Sequence, residues 1–121
     1  MANTFKVVTF AAEPNSAGTP YVVYTAGSSV TTVVLGLILT NINTAQVTAE
    51  VELVSDTGNR GGSNDVTNGT AFLAKDIPIP VGSSVELLSG NKVVLEATDQ
   101  IRIDCSVADK LSGSLSIMEI T

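Results

Sequence analysis

The chain has 121 residues, 44% of them hydrophobic and 15% charged, with a net charge of −6 and no histidine. A chain this long forms one domain and buries roughly two-thirds of the surface it exposes when unfolded, while a charged fraction below the ~25% of an average soluble domain leaves apolar surface over for a partner subunit. Its cations, Lys6, Arg60, Lys75, Lys92, Arg102 and Lys110, are scattered, so no basic patch can release counterions from nucleic acid. Without histidine, neither a Ser-His-Asp triad nor an imidazole metal ligand can form.

The first residues, "MANTFKVVTFAAEP", lack the cationic start, long apolar stretch and cleavage site of a signal peptide. The longest apolar run, 33–39, is far short of the ~20 residues that cross a bilayer as a helix. These features predict a soluble chain that folds in the cytoplasm and has no membrane partner.

Along the chain the hydrophobic period is two nearly everywhere. Residues 4–11 and 20–26 read as strands separated by the turn-rich "EPNSAGT". In 30–41, Val33, Leu35, Leu37 and Leu39 on one face oppose Val34, Gly36 and Ile38 on the other, which predicts a strand covered on both sides, by a second sheet and a loop or by another subunit. Segment 45–55 alternates, with Val47, Ala49, Val51 and Leu53 facing in and Thr48, Glu50 and Glu52 facing water. Glu50 and Glu52 share a face, as a carboxylate pair for acid–base work would, but on an alternating strand a solvated outer face is the better account of them.

Residues 56–69, "DTGNRGGSNDVTNG", are glycine-rich and almost without apolar side chains, and predict a long exposed loop. "GNRGG" lacks the Lys-Ser/Thr and the helix of a phosphate loop. Asn64, Asp65 and Asn68 supply oxygens without the spacing of a calcium loop, and Asn68-Gly69-Thr70 is a sequon without secretion. Segment 70–80 follows as a strand that Pro78 and Pro80 push to a sheet edge, since neither can donate to a ladder.

Further strands are predicted at 84–88, 92–96, 99–108 and 112–120, punctuated by Gly82-Ser83-Ser84 and Ser89-Gly90-Asn91, with Asp99 capping a tight turn. In 99–108 the alternation sets Ile101, Ile103, Cys105 and Val107 inward and Arg102, Asp104 and Ser106 outward. Cys105, the only cysteine, reads as a small buried hydrophobe. The aromatics Phe5, Phe10, Tyr21, Tyr24 and Phe72 read as core, with Tyr21 or Tyr24 the ones to reach the surface. Eight or nine short strands without a helical period predict an all-β antiparallel sandwich of jelly-roll type, one domain over 1–121.

The order "YVVYTAGSSVTTVVLGLILTNIN", "VTAEVELVSDTG", "LAKDIPIPVGSSVELLSGNKVVLEATDQIRIDCS" and "GSLSIMEI" resembles a class of small virion structural proteins of tailed bacteriophages, over residues 20 to 121. The resemblance implies a head decoration or cement protein, or a neck or tail component, without catalytic residues or cofactors. It implies a homo-oligomer whose partner is the major capsid protein or another virion protein. Residues Ile77, Pro78, Ile79 and Pro80, together with Asn59, Arg60, Asn64 and Asp65 of the glycine-rich segment, are the candidate partner contacts. A sandwich module for host glycans is the alternative, and it requires an exposed aromatic side chain or a calcium site.

Overall fold

The computed structural model describes residues 2–55, 69–88 and 92–121. Among these residues there are nine strands: β1 (Asn3–Glu13), β2 (Tyr21–Thr25), β3 (Thr31–Asn41), β4 (Val47–Val54), β5 (Thr70–Ile79), β6 (Ser84–Leu87), β7 (Val93–Leu95), β8 (Gln100–Cys105) and β9 (Leu111–Ile120). Each falls within or close to a segment whose period-two pattern predicted it. The glycine-rich segment up to Asn68, including Asn59, Arg60, Asn64 and Asp65, lies outside the described residues, as does the Ser89-Gly90-Asn91 turn.

One sheet runs β1-β9-β3-β6 with β7 also on β3, and the other runs β2-β8-β4-β5; every pairing is antiparallel. First pairs with last, second with next to last, and β4 with β5, as though one long hairpin had been rolled up. That is the jelly-roll order. Strands β6 and β7 share one position in it. Ser84–Leu87 lies along Thr40–Leu37, and Val93–Leu95 resumes along Val34–Thr32. The interruption faces the bulge that β3 makes between Val34 and Gly36.

The core fills the space between the sheets, with Val34, Leu37, Leu39, Leu95, Leu115 and Ile117 from one and Val47, Ala49, Val51, Ile79, Ile101 and Ile103 from the other, all at or near zero exposure. The bulge changes which residues of 30–41 make up each face, and the second sheet covers the inner one. Thr32 and Val34 point inward before it, and Leu37, Leu39 and Asn41 after it, because the extra residue shifts the side-chain phase by one. Val34 is therefore buried within its own sandwich, and Ile38 lies 42% exposed on the outer face.

Three exposure assignments also change. Glu52 and Asp104, expected in water, are buried; Glu52 is covered by the Arg102 guanidinium, and Asp104 Oδ1 accepts from the Gly18 amide at 3.2 Å and the Cys105 amide at 2.8 Å. Val107, expected inside, is exposed because β8 ends at Cys105 and the chain turns. Cys105 is a buried free thiol, as expected.

Gly113 in β9 lies opposite Phe10 of β1. A Cβ at 113 would collide with the Ile38 carbonyl oxygen and the Phe10 ring, so glycine here is a packing requirement. Gly82, at φ 72°, occupies the left-handed position of the turn closed by Ser83 N–H on Pro80 O, where a glycine costs no steric strain. Asp99 does cap its turn: its Oδ2 accepts from the Glu96 amide at 3.1 Å.

Candidate interaction surfaces

The outer face of the five-stranded sheet carries a row of apolar cross-strand neighbours. Phe5 pairs with Met118, Met118 with Val33, and Val33 with Val94. Phe5 is 72% exposed and Val94 55%, with Val7 and Ile38 also exposed on neighbouring rows. Phe5 and Phe72 are thus the exposed aromatics, in place of the tyrosines. Period two accounts for the change: Phe5 is one residue out of phase with buried Phe10 in an unbroken stretch of β1. Tyr21 stacks at a tilt on Phe10, with ring centroids 5.9 Å apart.

Tyr24 instead crosses the sandwich. Its hydroxyl donates to Glu119 Oε2 at 2.6 Å and shares a 2.8 Å hydrogen bond with Thr32 Oγ1, both on the opposite sheet, while Lys6 Nζ reaches Glu119 Oε1 at 2.7 Å. The hydrogen bonds from Lys6 and then Tyr24 hold the Glu119 carboxyl below its usual range, and burial, then Glu119, pushes the Tyr24 phenol up. The group pins the start of β1 and the end of β9 to β2.

Four strand positions have a free side among the described residues. Two belong to short strands, β2 and the broken β6/β7 position; the others are β1 and β5, with 11 and 10 residues. Ala2 and Thr121 exchange both backbone hydrogen bonds, at 3.3 and 3.0 Å. Bonded and non-bonded pairs alternate in an antiparallel ladder, so Thr4, Lys6, Val8 and Phe10 bond to β9, and Asn3, Phe5, Val7 and Thr9 aim their N–H and C=O groups at the free edge. In β5 the parity is reversed in effect. Thr48, the partner of Pro78, spends its backbone groups on Ser106, at 3.0 and 2.9 Å. The nitrogen of Pro78 therefore faces the free side, where no donor remains.

The outer face of the four-stranded sheet is charged. Arg102 pairs with Glu52, Lys75 Nζ lies 2.7 Å from Glu50 Oε1 and 4.7 Å from the centroid of the Phe72 ring, and the Glu50 hydrogen bond raises the Lys75 pKa. A cleft of about 340 Å³ opens beside them, lined by Thr48, Glu50, Asp76, Asp104, Ser106 and the 17–18 backbone. Its carboxylates already hold Lys75 or backbone amides, and no cluster of metal-ligating side chains exists among the described residues. The shared face of Glu50 and Glu52 is therefore an ion-pair surface, each carboxylate with its own cation.

Among the sequence-based contact candidates, Pro78 is exposed on the edge strand, Pro80 is exposed just past its end, and Ile77 is half-buried against the core. Ile79 is a correction: at 1% exposure it belongs to the core, because it alternates with Pro78 and turns toward the other sheet. The exposed row through Phe5, Met118, Val33 and Val94 was not anticipated, although the unbroken alternation of residues 4–10 held the signal for Phe5.

No protein family matches the sequence, and no curated protein does. Solved structures do match in fold. A chain of the infectious bursal disease virus VP2 subviral particle superposes with a TM-score of 0.51 at 14% identity, over 96% of this chain and 32% of that one. The Gx strain of the same virus gives 0.50 at 15% identity, over 98% and 33%. A chain from Bacillus endospore appendages, which form disulfide-linked pili, covers 99% and 87% at 16% identity with a TM-score of 0.46. The protein is an all-β sandwich of the kind found in viral capsid proteins, and it spans about a third of the length of the capsid chains it matches. No helix among the described residues is long and apolar enough to cross a membrane.

Proposed function

We propose that this chain is a non-enzymatic structural protein of a tailed-bacteriophage particle, acting as a decoration or cement protein on the assembled head. The observation that carries the reading is the apolar row Phe5, Met118, Val33, Val94 on the outside of a jelly-roll sandwich, a surface suited to another protein and without reactive groups. The capsid-like fold and the phage-like motif order support it. Its partner is the major capsid protein or another virion protein, and it requires no cofactor, metal or nucleic acid. One copy bridging neighbouring capsid subunits binds the finished lattice better than separated subunits, and that difference stabilises the shell. The glycan-module reading needs a free aromatic platform; of the two exposed rings, Phe72 carries the Lys75 ammonium over its face and Phe5 is part of the apolar row beside Met118.

Purified protein mixed with undecorated shells is expected to saturate at on the order of hundreds of copies, since many weak sites act in parallel, and to raise the temperature of DNA release. Val94→Asp, on the exposed row, is expected to weaken that binding at least about tenfold while the fold persists. Saturation at a single vertex would place the protein in the neck or tail, and absence of binding to any part of the particle would overturn the reading.

A further inference from the structure

We infer that β1 is a self-pairing edge: two copies of this chain join antiparallel through residues 3–11, about a two-fold axis at Val7, and merge their five-stranded sheets into one. The inference rests on the reading of the chain as an assembly subunit and names the partner of one edge.

The free backbone groups make the case. Asn3, Phe5, Val7 and Thr9 present donors and acceptors outward in an unbroken run, while the bulge between Phe10 and Glu13 lies at the far end. Such an edge is a template for another strand. The other edges do not offer one. β2 and the β6/β7 position are short, and β5 has lost a donor at Pro78 and is bent by two register shifts.

A second copy fits because the edge is complementary to itself. With Val7 on the axis, Val7 meets its own copy, Phe5 meets Thr9 and Asn3 meets Ala11. Every free residue from Asn3 to Thr9 then faces a residue of the same parity, so the ladder closes without a bulge. The only charge in this run is Lys6, whose ammonium is 2.7 Å from Glu119. In this register each Lys6 lies opposite Val8 of the second copy. Sliding the axis to Lys6 sets the two lysines against each other, which is unfavourable across a strand pair. Sliding it further toward the N-terminus shortens the ladder, and sliding it toward the C-terminus runs into the bulge. On the outer face the two Val7 side chains meet on the axis and Phe5 of each copy lies diagonal to Val7 of the other, so the exposed apolar surfaces of the two sheets become continuous through Val7. The ladder is about 30 Å long, less contact than the ~1,600 Å² of a standard stable interface, so the pair forms at roughly micromolar concentrations or above and is reinforced where copies are crowded on a lattice.

Sedimentation of the full chain from about 1 µM to about 1 mM, with amide hydrogen exchange at both ends of the range, tests the inference. The expected result is a monomer–dimer equilibrium in which the amides of Phe5, Val7 and Thr9 gain protection on dimerisation, while those of Lys6 and Val8 are protected throughout. Val7→Pro removes only an outward donor, so the fold is expected to survive and dimerisation to weaken by tenfold or more. Val7→Lys, which puts two charges on the axis and leaves the backbone intact, is expected to do the same and serves if the proline variant fails to fold. A wild-type monomer at the highest concentration with free exchange at Phe5, Val7 and Thr9 overturns the inference, as does a dimer that Val7→Lys leaves unchanged. Val7→Lys protein that is monomeric yet still coats shells would separate this edge from the proposed function, which would then stand by itself.

Discussion

The two long edges of the sandwich, β1 and β5, have nearly equal length and opposite treatment. On β5, Pro78 deletes a donor that would have faced outward, two register shifts bend the strand, and Lys75 folds across Phe72 toward Glu50. On β1 the donors at Asn3, Phe5, Val7 and Thr9 are all present, the outward side chains are uncharged with Phe5 and Val7 apolar, and the single lysine is turned inward and neutralised by Glu119. An inward lysine is one of the devices that normally discourage strand addition, and here its charge is cancelled. One edge is closed chemically and the other keeps its outward donors and acceptors, so resistance to strand addition and openness to it fall on different strands.

The largest effect expected from breaking this contrast comes from proline placed out of phase. Val8→Pro removes a donor that β1 gives to β9 and disturbs a side chain packed on the core, and is expected to cost about 3 kcal/mol, against less than about 1 kcal/mol for Val7→Pro. Equilibrium denaturation of the two variants measures the difference directly; equal losses would contradict the assigned parity of β1.

Gly113 comes next, because it seats Phe10 and so anchors the C-terminal half of β1. Gly113→Ala is expected to lose about 1–3 kcal/mol by overpacking. Adding Phe10→Leu should recover part of that loss, and a double-mutant cycle with coupling near zero would show that the ring is not what the added methyl meets.

A smaller change is expected at the pin of the same strand. The carboxyl of Glu119 is held below its unfolded value, so its contribution to stability is complete above the ordinary carboxylate range and is lost as pH falls through the folded value. The Tyr24 phenol is raised, so its contribution is lost as pH rises from about 10 toward the folded value. Glu119→Gln is expected to cost no more than about 1 kcal/mol at pH 7, since Lys6 is half exposed, and to flatten the acid side of a melting-temperature profile. An unchanged acid limb would mean that other carboxylates set it.

The smallest effect on stability is expected at β5. Because its nitrogen points away from β4, Pro78→Thr should change stability by less than about 1 kcal/mol. Light scattering should nevertheless reveal new self-association, most clearly in a Val7→Lys background where β1 is silent. A strictly monomeric double variant would show that the bends of β5 protect the edge without its proline.

Much of this architecture is legible in the sequence. Period-two alternation marks all nine strands, because a pleated strand sends successive side chains to opposite faces, and Pro78 announces an edge because it cannot sit in a central ladder. The missing histidines and the lone Cys105 exclude much catalytic chemistry before any coordinates are considered. Local pattern fails where the neighbouring strand matters. The β3 bulge shifts the phase of an apolar run after Val34, and nothing within 30–41 marks the extra residue, since the shift is defined only against neighbouring strands. Glu52 and Asp104 are buried because Arg102 and the Gly18 amide, distant in sequence, come to cover them. Ile79 goes to the core while Pro78 stays out because β4 sets the register of β5. The exposed row from Phe5 to Val94 joins residues 89 positions apart in number (94 − 5), and the free donors of β1 become countable only when Ala2 is seen bonded to Thr121. Alternation is a property of single strands and is written in the chain; which face is covered, and which edge stays open, depends on strand order and register, and those are set by contacts between segments far apart in sequence.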